Sequence, residues 1–248
     1  MTSEAKGATN TDIDARAKER LRSDEAAMTG SRRKSLPLSG AWREFWRHPS
    51  PWFIGTTLVG ALVVRLFVGD WQLTDAILPV IMVAAFPFVE WIVHVVVLHW
   101  KPRTIGKVTL DPLVSRKHRE HHTDPRDVPL VFIPWPVLAW LLPANTAIAL
   151  FAFSRLGLGL TFLTALAAIG LVYEWTHYLI HSDYRPRSRI YRAIWRNHRL
   201  HHYKNEHYWF TVTTSGTADR VFGTYPKPGD ISTSPTVKAL HAKETTTR

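Results

Sequence analysis

Long apolar runs alternate with short polar breaks through the middle of the chain, and the basic residues crowd into the segments beyond them. The first run, PWFIGTTLVGALVVRLFVG, predicts a span at about 51–69, close to the ~20 residues a helix needs to cross a bilayer. After the break GDWQLTD, the run AILPVIMVAAFPFVEWIVHVVVLHW predicts a second span at about 76–98, with Glu90, His94 and His99 in or just beyond its last third. A third span is expected at about 135–153, where Pro143 is a kink point, and a fourth at about 156–173; only Ser154 and Arg155 separate them. Arg65, near one end of the first span, is expected to snorkel toward the interface.

Four spans place both termini on one face, and the positive-inside rule then tests the arrangement. Residues 1–50 hold ten Lys and Arg, 101–127 hold seven and 182–248 hold twelve, whereas the two opposite connections hold only Arg155. The basic face is therefore read as cytoplasmic. Trp42, Phe45, Trp46 and Trp52 in AWREFWRHPSPWF suit an interfacial segment that leads into the first span. A soluble helical bundle with long core helices is the alternative, and this aromatic, basic flank weighs against it. The expected fold is all-α: an integral membrane protein of four transmembrane helices with a cytoplasmic histidine-rich helical cap. Residues 1–40 are polar, of mixed charge and without an apolar h-region, so they read as a disordered cytoplasmic tail rather than a cleaved signal. Residues 41–226 form the membrane domain, and 227–248 read as a flexible C-terminal tail.

Composition narrows the chemistry. The chain of 248 residues has no cysteine, which excludes disulfides, thiolate clusters, Cys-based zinc sites and cysteine nucleophiles. Any metal is left to nitrogen and oxygen ligands. The net charge of +11 does not signal nucleic acid, because the basic residues flank apolar runs and no nucleic-acid-reading module is present.

Ten of the thirteen histidines fall into four groups: HVVVLH (His94, His99), HREHH (His118, His121, His122), HYLIH (His177, His181) and HRLHH (His198, His201, His202). All four lie at or beyond the cytoplasmic ends of spans, a side assigned from Lys and Arg alone. On a helix, residues three and four apart share a face, so His177 and His181 can serve one ion, as can His118 with His121 or His122. Adjacent His121 and His122 diverge by about 100°. One H-x-x-H-H can thus feed two neighbouring ions. His94 and His99, five apart, do not share a face on a regular helix; they fit two metals or a helix that ends between them. Ten imidazoles exceed the four to six ligands one first-row ion takes, so the count argues for a dinuclear site. Glu90, four before His94, and Glu174, three before His177, are close enough to orient an imidazole N–H, with a plain interfacial carboxylate as the alternative. His48 and His241 read as surface residues. His207 reads as a surface or turn histidine, with an extra ligand or a substrate contact as alternatives.

Imidazole sites suit zinc, copper, iron and nickel alike. The H-E-x-x-H signature of zinc hydrolysis is absent. A site at the mouth of a membrane bundle suits oxidation of a lipid chain, and an unactivated C–H bond calls for oxygen activated by a metal. In their order, and with a pair of spans between the second and third, the four histidine groups resemble the fatty acid hydroxylase and sterol desaturase superfamily of membrane di-iron oxygenases. The likeness covers about residues 75–226, and EWIVHVVVLH and YEWTHYLIH look closest to the fatty acid 2-hydroxylases. The resemblance implies that the ten histidines ligate two irons, with zinc able to replace iron in purified protein. It implies that O2 is co-substrate and that one oxygen atom enters a C–H bond of a fatty-acyl lipid. No catalytic residue beyond the metal site is implied. Two electrons then come from a separate donor of ferredoxin or cytochrome b5 type with its reductase. His207, Tyr208 and Trp209 stand where a small or apolar stretch is expected, which leaves the substrate open. Sterol or carotenoid oxidation or desaturation is the alternative within the superfamily, and a non-catalytic metal-binding membrane protein or metal transporter the alternative outside it.

Overall fold

The computed structural model describes Glu19 and residues 35–241. Most of the tail expected at 1–40 lies outside the described residues. Its last residues, however, already enter α1, Leu38–Phe45. This short helix buries Ala41 and Phe45 and leaves Leu38 and Trp42 exposed, the two-faced character of a helix lying at an interface. Phe45 packs on Trp175 and Phe132 at ring-centroid distances of 5.0 and 5.6 Å, which ties α1 to the bundle.

Among the described residues, four helical rods are long and apolar enough to span a membrane: Pro49–Val68, Leu73–Leu98, Val128–Phe151 and Leu156–His181. The first is α2 (Pro49–Val68), begun by prolines whose missing N–H costs nothing in the first turn and ended at Gly69, φ 65°. The second is α3 (Leu73–Ile92), opened by a capping box between Gln72 and Asp75 and continued by a π-helical segment, Val93–Leu98. The third joins a short α5 (Val128–Val131) to α6 (Trp135–Phe151) across Phe132–Pro134. The fourth is α7 (Leu156–His181), which runs a further two turns beyond the expected 173 because Glu174, His177 and His181 are buried inside the molecule instead of facing lipid. Only 17 to 33% of each span's apolar window is buried, so Val63, Leu66, Val80, Ile81 and Val83 face outward. Apolar exposure on that scale belongs to a lipid-facing surface, which disposes of the soluble bundle.

Within the bundle α7 is central. Ile54, Leu138 and Ala167 form one contact layer between α2, α6 and α7, and Ala61, Ala149 and Leu163 form the next. Gly159 lets α6 and α7 touch: a Cβ there would lie 1.8 Å from the Ala149 carbonyl oxygen. At the end carrying the two short connections, the structure corrects the expectation for Arg65. The side chain is 1% exposed and does not snorkel outward. It pairs with Asp75 at 3.1 Å, donates through Nε to the Thr161 hydroxyl at 2.9 Å and stacks on Trp71 at 3.6 Å. Arg155 joins the same carboxylate, so α2, α3 and α7 are fastened by charge at this face. Burial of the pairs satisfies what lipid could not.

The opposite end carries the cap. A small antiparallel hairpin, β1 (Arg103–Ile105) with β2 (Val108–Leu110), turns at Gly106 in a mostly helical fold. Then come α4 (Leu113–Thr123), α8 (Arg189–Tyr203), with Ser188 accepting from the Tyr191 amide as N-cap, and α9 (Thr217–Val221). The flexible tail expected from 227 is not what residues 228–241 form. A 3₁₀ turn, Pro228–Asp230, leads into a strap in which Ser234, Val237 and Leu240 are buried. The apolar pattern gives no warning of it, because these residues are isolated among polar ones. Residues 242–248 lie outside the described residues.

Candidate metal centre

The ten histidines converge. His94, His99, His118, His122 and His201 make one group and His121, His177, His181, His198 and His202 another; within each, one ring nitrogen per residue lies within 4.8 Å of the others. Nine of the ten are buried and His99 is half-buried. The four sequence motifs are not the two groups. In α4, His118 and His122, one turn apart, face the first group while His121 faces the second. In α8 the assignment inverts: His198 and His202 face the second group and His201 the first. Each H-x-x-H-H therefore reaches both centres, as divergence of neighbouring residues on a helix requires.

His94 and His99 show how a five-residue spacing is used. Neither expected solution holds, two metals or a helix end between them. The backbone winds as a π-helix whose His99 amide donates to the His94 carbonyl at 3.0 Å, so both rings stand on one face with centroids 5.1 Å apart. Ser115 of α4, fully buried, donates its hydroxyl to Val97 O at 2.8 Å and pins this segment to the helix bearing HREHH.

Glu90 and Glu174 do not orient the imidazoles. Glu90 accepts from the amides of Val212 (2.5 Å) and Thr213 (3.0 Å) and from the Thr213 hydroxyl (2.6 Å), and Glu174 accepts from the Ile133 amide (2.8 Å). Buried amides need acceptors, and these carboxylates are the ones within reach. The partners of the imidazoles are backbone carbonyls: Val131 O for His177 Nδ1 at 2.9 Å, Tyr208 O for His201 Nδ1 at 2.8 Å and Val237 O for His122 Nδ1 at 3.1 Å. A carbonyl only accepts, so Nδ1 carries the proton in all three and the Nε2 lone pair is left to the centre. No residue type marks such carbonyls, which is why the sequence does not reveal them. Sequence reasoning also misses Asp219: fully buried, it accepts from the Phe210 and Thr211 amides and two threonine hydroxyls, shaping the loop that holds Tyr208. A lone acid in the Ser/Thr-rich stretch TVTTSGTAD is its one available signal.

The remaining three histidines belong to neither group. His207 is exposed at the edge of the cap. His48 stacks on Phe132 at 4.2 Å. His241, read as a surface residue, donates through Nε2 to the His99 carbonyl at 2.9 Å.

The donor set fits metal ions. Ring nitrogens of His94, His118, His121, His122, His177, His181, His198 and His202 are buried without a hydrogen-bond partner, a cost no apolar packing repays. His99 Nε2 and His201 Nε2 approach to 3.2 Å, and His198 Nε2 and His202 Nε2 to 3.0 Å, as donors aimed at a shared point do. Beyond the spans, burial first and neighbouring histidines second hold His99, His118, His121, His122, His198 and His202 well below the usual imidazole range. Burial brings His201 down to about 4, against the opposing pull of the Tyr208 carbonyl. They are neutral at pH 7, the form a metal takes.

Fold and centre together define a four-span membrane protein with a paired, all-histidine site at one end of its bundle. The profile of the fatty acid hydroxylase family matches residues 79–224, which include all ten of these histidines, and the chain belongs to that family. The dihydroceramide fatty acyl 2-hydroxylase FAH1 of Arabidopsis thaliana is 28% identical over 163 residues, 60% of this chain and 62% of that protein. Full-length Scs7p, of which only the hydroxylase domain is visible, superposes with a TM-score of 0.57 at 23% identity, over 71% of this chain and 65% of that one. The chain thus spans a little under two thirds of either relative, and the second likeness is one of fold.

Proposed function

We propose that this lipid hydroxylase is an O2-dependent di-iron enzyme that inserts oxygen into a C–H bond of a fatty-acyl lipid. The observation that carries the reading is the division of ten histidines into two interleaved groups of five, joined through both H-x-x-H-H helices. His94, His99, His118, His122 and His201 would hold one iron, and His121, His177, His181, His198 and His202 the other. Bound iron supplies the activation of O2 that breaking an unactivated C–H bond demands. The balance is RH + O2 + 2 e⁻ + 2 H⁺ giving ROH + H2O, so two electrons arrive from a redox partner of ferredoxin or cytochrome b5 type.

The chain's own part is placement and exclusion of water. A crevice of about 40 Å³ lies between His118 of one group and His177 of the other, walled by Leu98, Val114, Leu130 and Tyr173. Apart from Lys117 and the two histidines its walls are largely apolar, and it sits where spans meet cap, so a methylene of an acyl chain can lie against both groups while its headgroup stays at the interface. The carbonyls of Val131, Tyr208 and Val237 hold three rings in the tautomer that offers Nε2 inward. The excess of Lys and Arg on the cap side supports a cytoplasmic location for the centre and both termini under the positive-inside rule. The name of the plant relative supports an acyl chain as substrate and the carbon next to its carbonyl as the point of attack.

Expression with a reduced donor system, followed by lipid profiling, tests the reading. The wild type is expected to yield hydroxylated acyl chains and to carry about two irons, and His201→Ala to yield none. Identical lipid profiles from the two, with iron loading and donor coupling verified, would sink it.

A further inference from the structure

We infer that the C-terminal strap, residues 232–241, is a positioning element of one metal site only, the site built by His94, His99, His118, His122 and His201; this rests on the ligand assignment proposed above. The strap lies beyond the 79–224 matched by the family profile, yet it touches two members of that group. Val237, fully buried, accepts from His122 Nδ1 at 3.1 Å and so fixes which nitrogen of His122 faces the centre. His241 caps the π-helical segment by donating to the His99 carbonyl, and Thr123, next to His122, donates its hydroxyl to Lys238 O at 3.1 Å. In the other group, His177 Nδ1 has its acceptor in Val131, inside the bundle, and the strap meets that group through the charge of Lys238 near His121.

A buried carboxylate holds the strap in place. Glu206, 2% exposed, accepts the Ser234 hydroxyl at 2.8 Å and the Thr236 hydroxyl at 2.5 Å. The Ser234 amide donates to Lys204 O at 2.8 Å, and Lys238 lies over the Tyr203 ring at 4.1 Å. Residues 203–206 immediately follow HRLHH, so the clamp is anchored at the C-terminal end of the helix that supplies His201. Partners of this kind, which orient a metal-bound imidazole without touching the ion, typically change metal affinity ~10–100-fold when lost.

The test uses the full chain, iron-loaded in nanodiscs, challenged with a chelator while iron loss is followed and the two sites are distinguished by Mössbauer spectroscopy. Ser234→Ala with Thr236→Ala unfastens the clamp without shortening the chain; Ser234→Thr with Thr236→Ser keeps both hydroxyls. The double alanine variant is expected to release one of its two irons about 10-fold faster or more and to change one of two spectral components, while the hydroxyl-conserving variant behaves as wild type. Release of both irons at equally raised rates, or no change, overturns the proposal, the first because the strap would then serve general stability. A wild type that binds fewer than two irons overturns the ligand assignment itself, and is told apart from failure of the strap because it needs no variant.

Discussion

The amide of His99 reaches the carbonyl of His94 across 3.0 Å, a bond between residues five apart that an α-helix does not make. It converts an awkward spacing into a shared face, and it sits where the second span passes from lipid into the cap. A π-turn is rare enough that its presence at a pair of candidate ligands points to a geometric requirement.

Changing the spacing tests that requirement. Deleting Val96 leaves the two histidines four apart, which an α-turn places on one face. That variant is expected to retain two metals per chain. Inserting one alanine between Val95 and Val96 makes the spacing six, which neither helix type accommodates, and metal analysis is expected to give about one per chain. Equal metal content in the two variants would show that the π-turn has no part in assembling the group.

The sequence made much of this legible, for identifiable reasons. Span positions follow from apolar length, and the convergence of the four histidine groups follows from their placement at span ends. Which histidine joins which group is not legible, because His121 and His122 are alike in type and differ only by a rotation about α4. Glu90 and Glu174 mislead for a related reason: spacing places a carboxylate on a face but says nothing of the loop amides that arrive there from residues 212–213 or from Ile133. Arg65 taken alone suggests a charge escaping to the interface, while its partner Asp75 and the Thr161 hydroxyl come from other helices.

Close contact between α6 and α7 predicts a contrast between two glycines. Ala at Gly159 has no room against the Ala149 carbonyl, whereas a Cβ at Gly60 meets nothing within 4 Å. Overpacking of this kind costs about 1–3 kcal/mol. Gly159→Ala is expected to lower the thermal midpoint in detergent by about 5 °C. Gly60→Ala should leave it unchanged or raise it slightly, since alanine is the better helix former. A midpoint for Gly159→Ala equal to that of Gly60→Ala would contradict the packing described.

The absence of native cysteine makes the topology directly testable. Ser154 lies in the short connection before α7 and Lys107 in the exposed hairpin of the cap. In intact cells, Ser154→Cys is expected to react with a membrane-impermeant maleimide added outside, and Lys107→Cys only after the membrane is opened. The reverse pattern would turn the centre to the other face of the membrane.

Burial of the histidines also sets a pH dependence for the metal-free protein. Folding holds His201 at about 4 and its companions in the cap well below 6.5, while the unfolded chain titrates near 6.5. Between these values the unfolded state binds more protons than the folded one, so stability is fully present above about 6.5 and falls as the pH drops through that range. Each such histidine adds up to ~1.4 kcal/mol per pH unit to the slope. Thermal midpoints of the apo-protein are therefore expected to be level from about pH 8 to 7 and to drop steeply from about 6.5 toward 5. Replacing His201 by Asn removes one proton from the difference and flattens the slope. Iron is expected to stabilise the protein most at neutral pH and to be released over the same acid range, because the metal competes with protons for the same ring nitrogens. A midpoint that rises on acidification would mean that the imidazoles are charged in the folded state, and the reading of the centre as a neutral donor set would fail with it.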